Sequence, residues 1–186
     1  SDLSLALTDG MAEALLRNVM RNVKLALKTP DDYDARAEIM WAGTLSHNDI
    51  TGDRSQGDWA SHQLEHELGG MFDIAHGAGL AAIWGSWARY VLKQDPCRFA
   101  QLAVNVLNVP YSFGNDEKTA LEGIAAMEDF FRSIGMPTSI SDMDIELTEE
   151  QIKELAHKCS FMGRRTIGGF VTLNAADMEN IYRMAR

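Results

Sequence analysis

Three of the five histidines, His62, His66 and His76, fall within 15 residues of the chain. His62 and His66 are four residues apart, so a helix would project both imidazoles from one face towards a common site. An uninterrupted helix would carry His76 about 21 Å away from His62. The Gly69-Gly70 pair predicts a helix end there, and a new helix from His76 would turn the third imidazole back. The pattern therefore predicts a metal site at a helix corner.

A second hypothesis arises from the same residues. His62, Glu65 and His66 match H-x-x-E-H, the inverted zinc-protease motif, in which two histidines bind zinc and the glutamate acts as general base. Such a site needs a further carboxylate ligand from a following helix, and it gives His76 no role. A small zinc hydrolase nevertheless stays open as an alternative.

A third hypothesis is a helical interaction domain in which the histidines are incidental. We predict structural roles for His47 and His157. His47 lies near a helix end, where a partly positive ring suits the helix dipole, and His157 lies within a helix rich in Lys and Glu.

Gly77, Gly79 and Ala82 match G-x-G-x-x-A, the pattern of a dinucleotide-binding loop. Such a loop must follow a strand, whereas this one follows a helix end. We therefore predict no nucleotide-binding residues in this chain.

Apolar residues recur at intervals of three and four over long windows, and strand-like alternation is nearly absent. The fold class is therefore all-α, a single helical domain of about seven or eight helices. Capping residues and Gly or Pro stops define the predicted helices. They cover residues 8–28, 31–47, 58–69, 76–93, 96–108, 115–134, 148–160 and 174–186. Loops are predicted at residues 48–57 and 163–172.

Composition excludes several classes of protein. The chain has 186 residues, 46% of them hydrophobic, and a formal net charge of −10, with no basic stripe. Such a charge disfavours nucleic acid and anionic membranes as partners, and no apolar run approaches the roughly 20 residues that span a bilayer. Two distant cysteines, Cys97 and Cys159, favour a reducing cytoplasm. The polar start at Ser1 without Met suggests a piece of a longer polypeptide.

The histidine region resembles the iron-dependent alcohol dehydrogenases, specifically the butanol dehydrogenase branch. Residues 57–80, GDWASHQLEHELGGMFDIAHGAGL, carry the likeness most clearly. It extends to ARAEIMWAGTLSHN from Ala35, DPCRFAQLAVNVLNVPY from Asp95, FFRSIGMPT from Phe130 and TIGGFVTL from Thr166. Residues 1–186 thus resemble the C-terminal helical metal-binding half of a two-domain enzyme. The resemblance implies that the dinucleotide-binding half is absent from this chain.

The resemblance also implies a metal site made of one Asp and three His, of which His62 and His76 match two by type and spacing. His66 matches the additional histidine near substrate and nicotinamide, so a catalytic role as proton relay or substrate-orienting group is expected for it. The helix with the other two ligands, a D-x-x-x-H pair, has no counterpart in this chain, which is expected to be inactive by itself.

For the intact enzyme, the resemblance implies interconversion of primary alcohols and aldehydes with NAD or NADP as cofactor. Fe²⁺ is the expected metal, and Zn²⁺ is the alternative. A cytoplasmic homo-oligomer is expected. Four aromatic residues are candidates for an apolar wall of the alcohol pocket: Trp59, Phe72, Trp84 and Trp87.

Overall fold

The computed structural model describes residues 6–52 and 57–186, and within these ranges the regular structure is helical apart from one isolated antiparallel bridge between Ile167 and Leu173. Eight α-helices follow one another: α1 (Ala6–Lys28), α2 (Tyr33–Ser46), α3 (Ala60–Phe72), α4 (His76–Val91), α5 (Pro96–Asn105), α6 (Asp116–Ser133), α7 (Glu149–Cys159) and α8 (Ala175–Ala185). Two 3₁₀ turns cover Leu92–Gln94 and Ser141–Met143. The predicted all-α class is confirmed. The predicted start at Ser1 and part of the predicted 48–57 loop lie outside the described residues.

Helix starts follow local side-chain chemistry, as the sequence predicts. Thr148 accepts a hydrogen bond from the Gln151 N–H while the Gln151 side chain accepts one from the Thr148 N–H, which is a complete capping box. Asn174 and Asp177 form a second box at α8. Asn115 accepts from the Lys118 N–H at the start of α6. Each cap satisfies amide donors that the first helical turn leaves unpaired, so these boundaries are set within a few residues.

The predicted end of α3 at Gly69-Gly70 is wrong. The helix continues through both glycines to Phe72 and stops at Asp73, which has the left-handed φ of 52° and whose N–H donates to the Gly69 carbonyl. The missing side chain of Gly69 leaves room for the Glu65 carboxylate, since a Cβ at position 69 would lie 3.1 Å from the Glu65 Oε1. The corner that leads into α4 therefore consists of Asp73, Ile74 and Ala75.

Smaller corrections concern other helix ends. Thr8, predicted as a cap, lies inside α1, and α5 ends at Asn105 rather than at Asn108, which has a φ of 57°. Asp58 lies one residue before the N-cap position of α3, yet its Oδ1 still accepts from the Ala60 N–H at 2.7 Å. Its Oδ2 accepts from the Phe170 N–H at 2.8 Å, which ties the glycine-rich 163–172 loop to α3.

Helix α4 lies at the centre of the fold, in contact with α3, α6 and α8, while α7 packs on α3 and α8. The shared core consists of fully buried apolar side chains, including Leu64, Leu68, Ile83, Ile124, Leu155 and Ile181. The hydroxyl of buried Tyr182 donates to the Leu64 carbonyl at 2.6 Å and joins α8 to α3. This core packs against both α3 and α4 and so sets their positions on either side of the corner. No helix among the described residues is long and apolar enough to cross a membrane.

Candidate metal centre

The corner between α3 and α4 brings three imidazoles together. His62 and His66 lie one turn apart on α3, and His76 is the first residue of α4. The ring centre of His76 lies 5.4 Å from that of His62 and 5.5 Å from that of His66, and the His62 and His66 centres are 6.3 Å apart. The predicted return of His76 to α3 is confirmed, although α3 ends later than predicted.

These separations suit imidazoles that share a metal ion. When a metal ion binds an imidazole nitrogen at about 2.1 Å, the centre of that ring lies about 3.2 Å from the ion. Two imidazoles bound to one tetrahedral ion therefore have ring centres about 5.2 Å apart. The His62–His76 and His66–His76 pairs both lie close to that value. Imidazole nitrogen is a ligand type that suits divalent ions such as Fe²⁺ and Zn²⁺.

The site is buried on one side and open on the other. His62 is partly buried, whereas His66 and His76 are exposed. Burial, followed by the nearby His76 and His66 rings, lowers the pKa of His62 below its ordinary value. Because a ligand imidazole must be neutral, this shift keeps the His62 lone pair free at neutral pH. Trp59, which is 60% exposed, packs its ring edge-on against His62 at 5.0 Å.

Glu65, which the sequence indicates only as the general base of the hydrolase hypothesis, is instead the hydrogen-bond partner of His76 in this cluster. Its carboxylate is only 2% exposed, and its Oε2 is hydrogen-bonded to Nδ1 of His76. Glu65, His66 and His76 each offer a potential ligand atom, and these atoms lie within 4.8 Å of one another, whereas His62 is not a member of this group. The bond to Glu65 engages Nδ1 of His76, so Nε2 remains as the atom that can bind a metal.

An apolar cavity of about 520 Å³ adjoins His62. Its wall includes Trp84 and Trp87 of α4, Phe130 and Phe131 of α6, and Val19 of α1. Two of the four predicted aromatic residues therefore line it, whereas Trp59 and Phe72 do not. A larger surface groove of about 860 Å³ runs along α2 and has no lining residue in common with this cavity.

Comparison with known proteins decides what kind of helical protein this is. Residues 3–186 match the Fe-containing alcohol dehydrogenase family, C-terminal. The chain belongs to this family.

Members of the Fe-containing alcohol dehydrogenase family that resemble the chain act on alcohols or aldehydes according to their names. The probable NADH-dependent butanol dehydrogenase 1 of Bacillus subtilis is 36% identical over 94% of this chain and 44% of its own length. The NADPH-dependent aldehyde reductase YqhD of Escherichia coli is 33% identical over 96% of this chain and 45% of its own. The chain thus spans less than half of the length of these relatives.

Solved structures of the family share the fold. The NADH-dependent butanol dehydrogenase A of Thermotoga maritima matches with a TM-score of 0.88 and 30% identity, over 97% of this chain and 46% of its own. A substrate- and cofactor-free form of YqhD matches with a TM-score of 0.90 and 30% identity, over 100% of this chain and 48% of its own. The eight-helix architecture of the described residues is therefore that of part of an iron-type dehydrogenase.

The surroundings of Glu65 do not suit the role that the zinc-hydrolase hypothesis gives it. A general base must hold a water molecule next to the metal, but this carboxylate is buried and already bonded to His76. Neither of the other two histidines lies at this corner, although His47 is close enough to His62 to contribute, last among the causes, to the lowered pKa of that imidazole. His47 is bonded through Nδ1 to the Gly43 carbonyl at 2.8 Å near the end of α2, and His157 lies in the last turn of α7. Both match their predicted structural positions.

Proposed function

We propose that this chain is the metal-binding domain, residues 1–186, of an alcohol dehydrogenase that interconverts primary alcohols and aldehydes with NAD or NADP. The convergence of His62, His66 and His76 at one helix corner, within a member of this family, is the observation that supports the proposal. The relatives named for NADH and NADPH support a nicotinamide cofactor. We expect residues outside this chain to hold that cofactor.

His62 and His76 would hold the metal, with Fe²⁺ preferred and Zn²⁺ accepted. When bound, such an ion acts as a Lewis acid that polarises the oxygen of the alcohol or aldehyde. Further ligands would come from outside this chain, because two imidazoles do not complete a four-ligand set. On these grounds the chain alone would bind metal weakly and lack dehydrogenase activity.

His66 would move a proton at one of its ring nitrogens. Its ring lies next to His76 and is exposed, so it can exchange a proton between the substrate oxygen and solvent. The cavity beside His62 would hold the alkyl chain of the substrate, where Trp84 and Phe131 exclude water from the reacting carbon. Its apolar wall favours aliphatic over charged substrates.

We expect a homo-oligomer in the cytoplasm. Tyr33, Met40 and Trp41 expose 81%, 75% and 60% of their surface along α2, and a second copy would bury them. Free Cys97 and Cys159 suit a reducing compartment. Sedimentation of the purified chain tests the first point, since a monomer at micromolar concentration would contradict it.

Metal binding by the purified chain tests the proposed function. Anaerobic calorimetry with Fe²⁺ and with Zn²⁺ should give a weak affinity that His62→Ala and His76→Ala both abolish. The thermal midpoint should rise with added ion in the unchanged chain and in the control, but in neither of these variants. His157→Ala is the matched control, since it removes an imidazole from α7 and should leave the affinity unchanged. Equal affinity in all four proteins would refute the proposed ligands.

A further inference from the structure

Glu65 is a buried carboxylate on α3 whose hydrogen-bond partner is an exposed histidine on the next helix. Its side chain is 2% exposed, whereas that of His76 is 51% exposed. A buried carboxylate is tolerated only when it is paired and hydrogen-bonded. The bond to Nδ1 of His76 meets that need, so α3 anchors the first residue of α4 from the side opposite to solvent.

Two glycines make room for this carboxylate. A Cβ on Gly79 of α4 would lie 2.7 Å from the Glu65 Cγ, 2.8 Å from its Oε1 and 2.9 Å from the Cδ1 of Ile74. A Cβ on Gly69 would lie 3.1 Å from the same Oε1. The Glu65 side chain therefore fits between α3 and α4 because each helix has a glycine, Gly69 or Gly79, at the point where it faces the carboxylate. The packing also explains why α3 carries a glycine where the sequence predicted a helix end.

We propose that Glu65 is a positioning residue for His76, with Gly79 as the space that admits it. Glu65 accepts the hydrogen bond from Nδ1–H, which restricts the ring to one orientation and one tautomer. The lone pair of Nε2 then points away from the carboxylate and is free for a metal. Only the metal step of this inference rests on the proposed function.

The tautomer of His76 in the metal-free chain tests the positioning role without any activity. Long-range ¹H–¹⁵N correlation spectra at pH 9, well above the ordinary histidine pKa of about 6.5, distinguish a protonated Nδ1 from a protonated Nε2. We expect Nδ1–H in the unchanged chain and in Glu65→Gln, whose amide oxygen can still accept. Glu65→Ala and Gly79→Ala should convert His76 to a mixture of tautomers.

Two controls separate positioning from damage to the fold. Glu67→Gln removes the same charge from the same helix and should leave the His76 spectrum unchanged. Gly43→Ala adds a methyl group to α2, where nothing lies within 4 Å, and should behave likewise. An unaltered Nδ1–H tautomer in Glu65→Ala would overturn the inference, because the carboxylate would then not select it.

Zn²⁺ titration by calorimetry completes the test. Loss of a hydrogen-bond partner behind a metal-ligating histidine typically weakens affinity about 10–100-fold, and we expect that range for Glu65→Ala, with a smaller loss for Glu65→Gln. If Zn²⁺ binding disappears in Glu65→Gln while the tautomer stays, Glu65 is itself a ligand and the inference is wrong. If the unchanged chain binds no Zn²⁺ but the tautomer responds as expected, the positioning role stands and the proposed function fails.

Discussion

Helices α5 and α6 approach closely where Gly123 faces Ala103. A Cβ on Gly123 would lie 2.3 Å from the Ala103 Cβ and 3.0 Å from its Cα. Carbon atoms in contact lie about 3.5–4.0 Å apart, so Gly123→Ala overlaps by more than about 1 Å. Neither atom has a rotamer that could relieve the clash. The two helices must therefore separate, which loosens the packing of buried Ala120 and Ile124.

The magnitude follows from two opposing effects. Alanine is better than glycine in a helix by about 1 kcal/mol. Forcing an extra methyl group into a tight contact costs about 1–3 kcal/mol, and more where backbone must move. We expect the free energy of unfolding to fall by about 2 kcal/mol net. At about 2–4 °C per kcal/mol for a chain of this size, the thermal midpoint should fall by about 4–8 °C.

Urea denaturation followed by far-ultraviolet circular dichroism measures the effect, with Gly43→Ala as the matched control. Gly43 is exposed within α2, and nothing lies within 4 Å of the added Cβ. The control should gain about 0.5–1 kcal/mol from helix propensity alone. If Gly123→Ala were as stable as the control, the close approach of α5 and α6 would be refuted.

Further predictions concern the two cysteine thiols and the N-cap of α7. Burial raises the pKa of the Cys159 thiol from 9.0 to about 11, so as pH rises the unfolded chain loses this proton first. Relative to Cys159→Ala, the free energy of unfolding should fall by about 1.4 kcal/mol between pH 8 and pH 10, and parallel pH profiles for the two proteins would contradict this. Iodoacetamide at pH 8 should alkylate exposed Cys97 alone in the native chain and both thiols in urea, as mass spectrometry would show, and native labelling of Cys159 would count against its burial. Thr148→Ala should cost about 1 kcal/mol in urea denaturation by removing the α7 cap, with Thr172→Ala, at an exposed position, compared as a surface control.

The sequence predicted the helices well because their signals are local. Thr148 with Gln151 and Asn174 with Asp177 cap their own first turns, so these helix starts can be placed without knowledge of the tertiary fold. The pairing of His62 with His66 is equally local, since helix periodicity alone puts them on one face. The family resemblance then associated this face with a metal.

The corner after α3 shows where local signals fail. Gly69 predicts a helix stop because glycine often ends helices, but its missing side chain makes room for Glu65 four residues earlier. The true stop depends on the left-handed conformation of Asp73, and that residue type marks a helix end only weakly. A glycine looks the same in sequence whether it supplies conformational freedom or space.

What the sequence determined by itself was the helical class, most helix starts and the identity of the three converging histidines. What only the tertiary structure decided was the partner of each side chain across helices. Glu65 reaches His76 eleven residues away, Gly79 leaves room for it, and Gly123 admits Ala103. Periodicity and capping act within one or two turns, whereas these contacts exist only after burial of the shared core has brought α3, α4, α5 and α6 together.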